Sequence, residues 1–149
     1  MIHYVEGNLL EADVEAFINT VNTVGVMGKG VALLFKEKYP ETFKKYKIAC
    51  DKGEISIGKM FVTDESTFED RKLIINFPTK THWQYPSEYS FIEGGLMSLK
   101  ETIEKYKIKS LAMPPIGCGN GGLDWRKVKI LIEKHLGELE TDILIFESL

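Results

Sequence analysis

Asn19-Thr20-Val21-Asn22-Thr23-Val24-Gly25-Val26-Met27-Gly28-Lys29-Gly30 reads as the end of a strand running into a glycine-rich loop, with a helical pattern behind it. A second passage of the same kind, Pro114-Pro115-Ile116-Gly117-Cys118-Gly119-Asn120-Gly121-Gly122, stands far along the chain, again where a strand should hand over to a helix. Glycine turns the backbone where φ must be positive and lets a ligand approach main-chain N–H groups with no Cβ in the way. A helix N-terminus behind such a loop adds free N–H donors and the positive end of the helix dipole. Two such loops in one small domain point to a ligand with more than one phosphate. A nucleotide diphosphate is the natural candidate.

Outward from the loops, strand-like runs occur at Ile2–Glu6, Ala16–Val21, Lys59–Thr63, Lys72–Phe77, Ser110–Pro114 and Asp142–Phe146. Helical patterns lie between them. Ile92, Leu96, Leu99, Ile103 and Tyr106 recur at spacings of four and three, an amphipathic helix, with Ser90 and Glu93 as its expected capping box. A last helix is expected from about Trp125 to Leu136, with Asp124 as N-cap and Val128, Leu131, Ile132 and Leu136 buried. Gly30–Tyr39 and Pro40–Lys52 read as two further helices divided by Pro40. Alternating strands and helices imply an α/β fold, a mostly parallel or mixed six-stranded sheet with helices on both faces. The ligand crevice of such a sheet lies beyond the carboxyl ends of its strands, where both glycine loops should open.

The bulk properties narrow the setting. One domain is expected over all 149 residues, with no repeat, low-complexity tract or linker. Hydrophobic residues make up 44% and charged residues 28%, a globular composition. A formal charge of −3 argues against wholesale wrapping of nucleic acid. Lys44, Lys45 and Lys47 form either a local basic patch or simply a solvated helix face. No signal peptide and no apolar run of membrane-spanning length is apparent, so no membrane partner is expected. Two cysteines, Cys50 and Cys118, give no disulfide framework, and a reducing cytoplasm is the expected compartment.

Gly25–Gly30 is neither a Walker A loop, since Gly30 follows Lys29 where Ser or Thr is needed, nor a dinucleotide fingerprint. Asn19 and Asn22 precede it. An Asn amide at a strand end can read ribose hydroxyls as donor and acceptor, or else cap local backbone. The bridging role suits Asn19 better and ligand contact suits Asn22. Asn76-Phe77-Pro78-Thr79-Lys80-Thr81-His82-Trp83 is the third informative stretch. If the chain stays extended there, Lys80 and His82 point the same way. A partly desolvated lysine can act as a base or as an amine nucleophile, and a nearby histidine can carry protons. The alternative for Lys80 is a surface lysine in a loop. Cys118 could be a nucleophile at a helix N-terminus, but no base accompanies it, and a small loop residue is the preferred reading. His3 and His135 read as structural. Cys and His show no metal-ligand spacing, so neither metal nor cofactor is expected.

Glu6-Gly7-Asn8-Leu9-Leu10, Ala16–Asn22, Gly25–Gly30, Asn76–Lys80 and Gly117–Asn120, taken in order, resemble the macrodomain family over essentially the whole chain. Asn22–Gly30 and Asn76–Lys80 are similar to the branch that holds the terminal ADP-ribose protein glycohydrolase and the DarG-type antitoxins. The resemblance implies a three-layer α/β/α domain that binds ADP-ribose, either standing alone or as the N-terminal domain of a longer antitoxin. Asn8, beside Leu9, stands where most macrodomains have an aspartate reading the adenine amino group. Asn22 matches the asparagine at the distal ribose, and Lys80 the branch's catalytic lysine; His82 completes the expected catalytic set. Substrate contacts are expected from Asn19, from Gly25, Val26, Met27, Gly28, Lys29 and Gly30, and from Thr79. The second loop adds Pro115, Ile116, Gly117, Cys118, Gly119, Asn120 and Gly121. The aspartate that the terminal glycohydrolase uses after its Gly-Cys-Gly is displaced here to Asp124 or absent.

The implied activity is removal of ADP-ribose from thymidine in DNA, opposing a DarT-type toxin. The implied partners are ADP-ribose, ADP-ribosylated DNA and that toxin. Alternatives are hydrolysis of ADP-ribosylated Glu or Asp in protein or of O-acetyl-ADP-ribose, a phosphatase acting on ADP-ribose 1″-phosphate, and a reader that binds without turnover.

Overall fold

Strand β2 (Ala16–Asn22) runs through the interior of a six-stranded sheet, flanked by β4 (Leu73–Lys80) on one side and β5 (Ser110–Met113) on the other. The computed structural model describes residues 1–147. With β1 (Ile2–Val5), β3 (Phe61–Asp64) and β6 (Asp142–Phe146), the strand order is β1-β6-β5-β2-β4-β3. Only β3, at one edge, is antiparallel to its neighbour. β2 and β4 are buried along nearly their whole length, as strands covered on both faces must be.

Side chains alternate across this sheet. Ala16, Ile18, Leu73, Ile75 and Phe77 meet helices α3 (Tyr89–Tyr106) and α4 (Trp125–Leu136). Phe17 and Ile74 meet Phe35 of α1 (Gly30–Lys38) on the opposite side. There α2 (Pro40–Asp51) packs Tyr46 and Ala49 against Val21 and Met27. The layers are therefore helix, sheet, helix. Among the described residues no helix is long and apolar enough to cross a membrane.

Element order follows the sequence expectation, with two informative departures. β4 was expected to end at Phe77 but continues through Pro78 to Lys80. Val21 pairs with Pro78 and Asn22 with Lys80, so the register slips where proline has no N–H to give. The slip sets Lys80 directly opposite Asn22. The Ser90–Glu93 capping box does not form. α3 starts at Tyr89 behind an extended Glu88 with no side-chain cap, and Glu93 instead meets Nε2 of His135 on α4 at 3.0 Å.

Because β1, β6, β5, β2 and β4 are parallel, their carboxyl ends share one edge. Asn8, both glycine loops and the segment after Lys80 all emerge there.

Candidate active site

Asn22 is almost wholly buried, and its amide organises the loop that follows. Nδ2 donates to the Val26 carbonyl at 2.8 Å, while Oδ1 accepts from the N–H groups of Val24 at 3.1 Å and Val26 at 3.3 Å. The Tyr46 hydroxyl, from α2, lies 2.7 Å from the Asn22 carbonyl and 2.9 Å from its Oδ1. Burial pushes the Tyr46 hydroxyl well above the ordinary tyrosine value, so it stays a donor. Asn22 was expected to touch the ribose; what the structure displays is an asparagine that shapes the loop from beneath. Gly25, at φ +89°, sits in the left-handed region within that loop. The Met27 side chain is core, leaving only its main chain to face the crevice. Val26, Gly28, Lys29 and Gly30 are exposed. α1 begins at Gly30 with no side-chain cap from Lys29, so its first N–H groups remain available to an anion.

Lys80 stands across from Asn22, at the end of β4. Its Nζ donates to the Trp83 carbonyl at 3.3 Å. Partial burial, and then the neighbouring Lys29 charge, hold its pKa below the ordinary lysine value. The neutral amine is thus easier to reach here than on a free lysine.

His82 lies beyond the strand. The extended chain ends at Lys80 and residues 81–85 turn. Nδ1 of His82 accepts from the Gln84 N–H at 3.1 Å, and its ring stacks on Trp83 at 5.2 Å. Alternation along a strand cannot place a residue once the strand has ended, so the extended-chain premise for Lys80 and His82 pointing the same way does not hold. The turn is tied to the first loop by Thr23 Oγ1, which donates to the Thr81 carbonyl at 2.7 Å.

The second loop is built on Gly117. Its φ is +74°, and a Cβ there would fall 2.8 Å from Ile92 Cδ1 and 2.9 Å from Leu123 Cδ1. No larger residue fits without moving both neighbours. The Gly121 carbonyl accepts from the Ser87 N–H at 2.9 Å, so the segment after Lys80 also holds this loop. A Cβ on Gly30 would lie 3.5 Å from Asn120 Nδ2: the two glycine loops meet across the crevice. Gly119 and Asn120 are exposed, Pro115 and Cys118 half-buried, and Ile116, Gly117 and Gly121 buried.

Cys118 is not activated. Burial, and then the Asp124 carboxylate, push its thiol up to about 11. Its Sγ points to the Ile116 carbonyl at 3.6 Å. Cys118→Ser is expected to retain most activity in a turnover assay. A loss of several orders of magnitude with the fold intact would make the thiol a nucleophile. Asp124 caps α4, its Oδ1 accepting from the Arg126 N–H at 2.9 Å while its carboxylate meets the Arg126 guanidinium at 3.1 Å.

Asn19 takes the bridging role and not the substrate contact that the resemblance implies: it is fully buried, and its Nδ2 donates to Asn76 Oδ1 at 3.2 Å between β2 and β4, so it pins the sheet. Thr79 and Leu9 are likewise buried. Asn8 is exposed, and its Oδ1 accepts from the Leu10 N–H at 3.0 Å, which leaves that oxygen a second lone pair. Among the described residues no three His, Cys, Asp or Glu side chains converge. A shallow depression of about 610 Å³ near Met1, His3, Ser110 and Asp142 opens at the amino ends of the strands, away from both loops.

Sequence reasoning missed Tyr46 and the aromatic turn. Tyr46 shows in the sequence only as one more residue of a buried helical stripe. Its partner lies 24 residues away.

An α/β/α sandwich with two glycine loops at the carboxyl edge of its parallel strands defines the class, and the sequence model described as "Macro domain" matches residues 18–132. The chain belongs to the macrodomain family. Within it, the chain is 56% identical to a DNA ADP-ribosyl glycohydrolase of Mycobacterium tuberculosis over 98% of its own length and 42% of that protein's. The solved macrodomain of M. tuberculosis DarG superposes with a TM-score of 0.96 at 50% identity, covering 100% of this chain and 99% of that one. Thermosipho africanus DarTG in complex with ADP-ribose superposes at 0.93 with 37% identity, covering 99% of this chain and 42% of that one. The chain spans about two fifths of the length of the DNA ADP-ribosyl glycohydrolases it matches.

Proposed function

We propose that this domain is a DNA ADP-ribosyl glycohydrolase, which removes ADP-ribose from thymidine and so opposes a DarT-type toxin. The observation that carries the reading is Lys80. It is an amine of lowered pKa opposite Asn22, between two loops whose N–H groups suit a diphosphate. A reader module has no need of such a lysine over the distal ribose. The names of the most similar relatives support the same reading.

In this reading Gly25–Gly30 and Gly117–Gly121 hold the diphosphate through main-chain N–H groups. Asn22 keeps the first loop in shape around the distal ribose. Neutral Lys80 acts at the anomeric carbon. As a base it takes a proton from the attacking water; as a nucleophile it forms a transient C–N bond that water later breaks. Either way the bond from the anomeric carbon to the thymine nitrogen breaks, and the base leaves with a proton. The cysteines, Cys50 and Cys118, are both free thiols, which suits a cytoplasmic setting.

The test is direct. The protein is incubated with an oligonucleotide carrying ADP-ribosylated thymidine and, separately, with ADP-ribosylated protein. Clearance of the DNA conjugate is expected. Clearance of the protein conjugate alone would move the substrate to carboxylate esters. Clearance of neither, with ADP-ribose still bound, would make the domain a reader.

A further inference from the structure

The geometry points to a nucleobase-stacking platform beside Lys80, made by the turn His82–Tyr85 and occupied by unmodified bases of single-stranded DNA flanking the target nucleotide. The inference rests on the DNA reading above.

Three rings gather in this turn. His82 stacks on Trp83 with centroids 5.2 Å apart and 29° between planes, and Tyr85 lies 5.2 Å from the same imidazole. Trp83 and Tyr85 are 45% and 59% exposed, so both rings keep surface open to solvent outside their contacts with His82. Core packing does not account for such a cluster. Two bonds fix its position relative to the chemistry: Lys80 Nζ to the Trp83 carbonyl, and Thr23 Oγ1 to the Thr81 carbonyl. A base stacked here therefore lies within a residue or two of the reacting lysine.

Charge on the same rim favours a phosphate backbone. Lys29 is close enough to depress the Lys80 pKa, and a Cβ added to Gly25 of the first loop would lie 3.7 Å from Cγ of Lys47 on α2. Both lysines are exposed. Aromatic faces set between cations are how sequence-tolerant single-strand sites are built, since every base offers a π-face. Paired bases keep those faces covered, and an enzyme that works on a base needs it out of the stack. The overall charge of −3 keeps this a local footprint of a few nucleotides.

The first readout does not use turnover. The chain has two tryptophans, so Trp125→Phe leaves Trp83 as the sole emitter. A short unmodified oligo(dT) should quench its fluorescence with free ADP-ribose already bound, and the quench should weaken with salt. In the second, Trp83→Ala with Tyr85→Ala should raise KM for an ADP-ribosylated oligonucleotide about tenfold or more. Calorimetric affinity for free ADP-ribose should stay within about twofold, since the Lys80 contact to residue 83 is to main chain. Absence of quenching, or an unchanged KM in the double variant, would overturn the platform. An equal KM rise on ADP-ribosylated protein would also overturn it, in favour of a peptide site. Quenching by a protein that clears no DNA conjugate would leave the platform standing and remove the glycohydrolase reading.

Discussion

Lys80→Ala is expected to lower turnover of ADP-ribosylated DNA by about 10²- to 10⁴-fold, the range lost with a positioned proton-transfer group, while free ADP-ribose binds as it does to the parent. The two loops hold the diphosphate in both proteins, so the loss falls on an interaction made mainly in the transition state. Folding should be nearly unaffected, within about 0.5 kcal/mol, because Lys80 supports no core contact and donates only to a partly solvated carbonyl. Lys80→Arg should not rescue, since a guanidinium neither loses its proton nor forms an imine. The pH profile gives a second check. Burial and Lys29 lower the Lys80 pKa, so the neutral, active amine accumulates as pH rises, and kcat/KM should climb to a plateau below the ordinary lysine value. Removing the Lys29 charge should shift that limb to higher pH by a fraction of the total, because burial is the larger cause. Parent-like clearance by Lys80→Ala would end the proposed mechanism.

Asn22→Ala is expected to behave differently, losing affinity and rate together. The substitution strips the acceptor from the Val24 and Val26 N–H groups and the donor from the Val26 carbonyl. Tyr46 keeps only the main-chain carbonyl. Groups left unpaired under a buried loop cost about 1–3 kcal/mol, so the melting temperature should drop as well. Without its scaffold the first loop no longer presents its N–H groups at one geometry, and both ground-state and transition-state contacts to the diphosphate weaken. Calorimetry with free ADP-ribose, read beside a thermal melt, separates this from Lys80→Ala. If Asn22→Ala bound ADP-ribose with parent affinity, the loop-shaping role would be wrong.

These two residues sit in register across β2 and β4, yet they were legible in the sequence to different degrees. Lys80 stood out because Asn76–Lys80 resembles a known branch of the family, although the strand was expected to end at Phe77 and a surface loop lysine was the alternative. For Asn22 the sequence showed a strand-end asparagine before a glycine loop, but not the loop contacts its amide makes. An asparagine amide has four hydrogen-bonding positions, and nothing local says whether a ligand or the next loop takes them. Asn19 shows the same ambiguity resolved the other way, into a buried pair with Asn76 from a strand remote in sequence.

What the sequence by itself determined was the order of the elements, the α/β class, both glycine loops and the lysine at a strand end. Each of those follows from local chemistry: apolar periodicity of two or near 3.6, the absence of a Cβ, and Asp124 before an apolar helical stripe. Only the tertiary structure decided what faces what. The register slip at Pro78 set Lys80 opposite Asn22, and helix α2 delivered Tyr46 beneath the first loop. Burial next to Asp124 kept the Cys118 thiol protonated, and the turn after Lys80 took His82 out of the strand and into an aromatic cluster. Such outcomes depend on register, burial and the packing of segments far apart in the chain, and no local window of sequence carries that information.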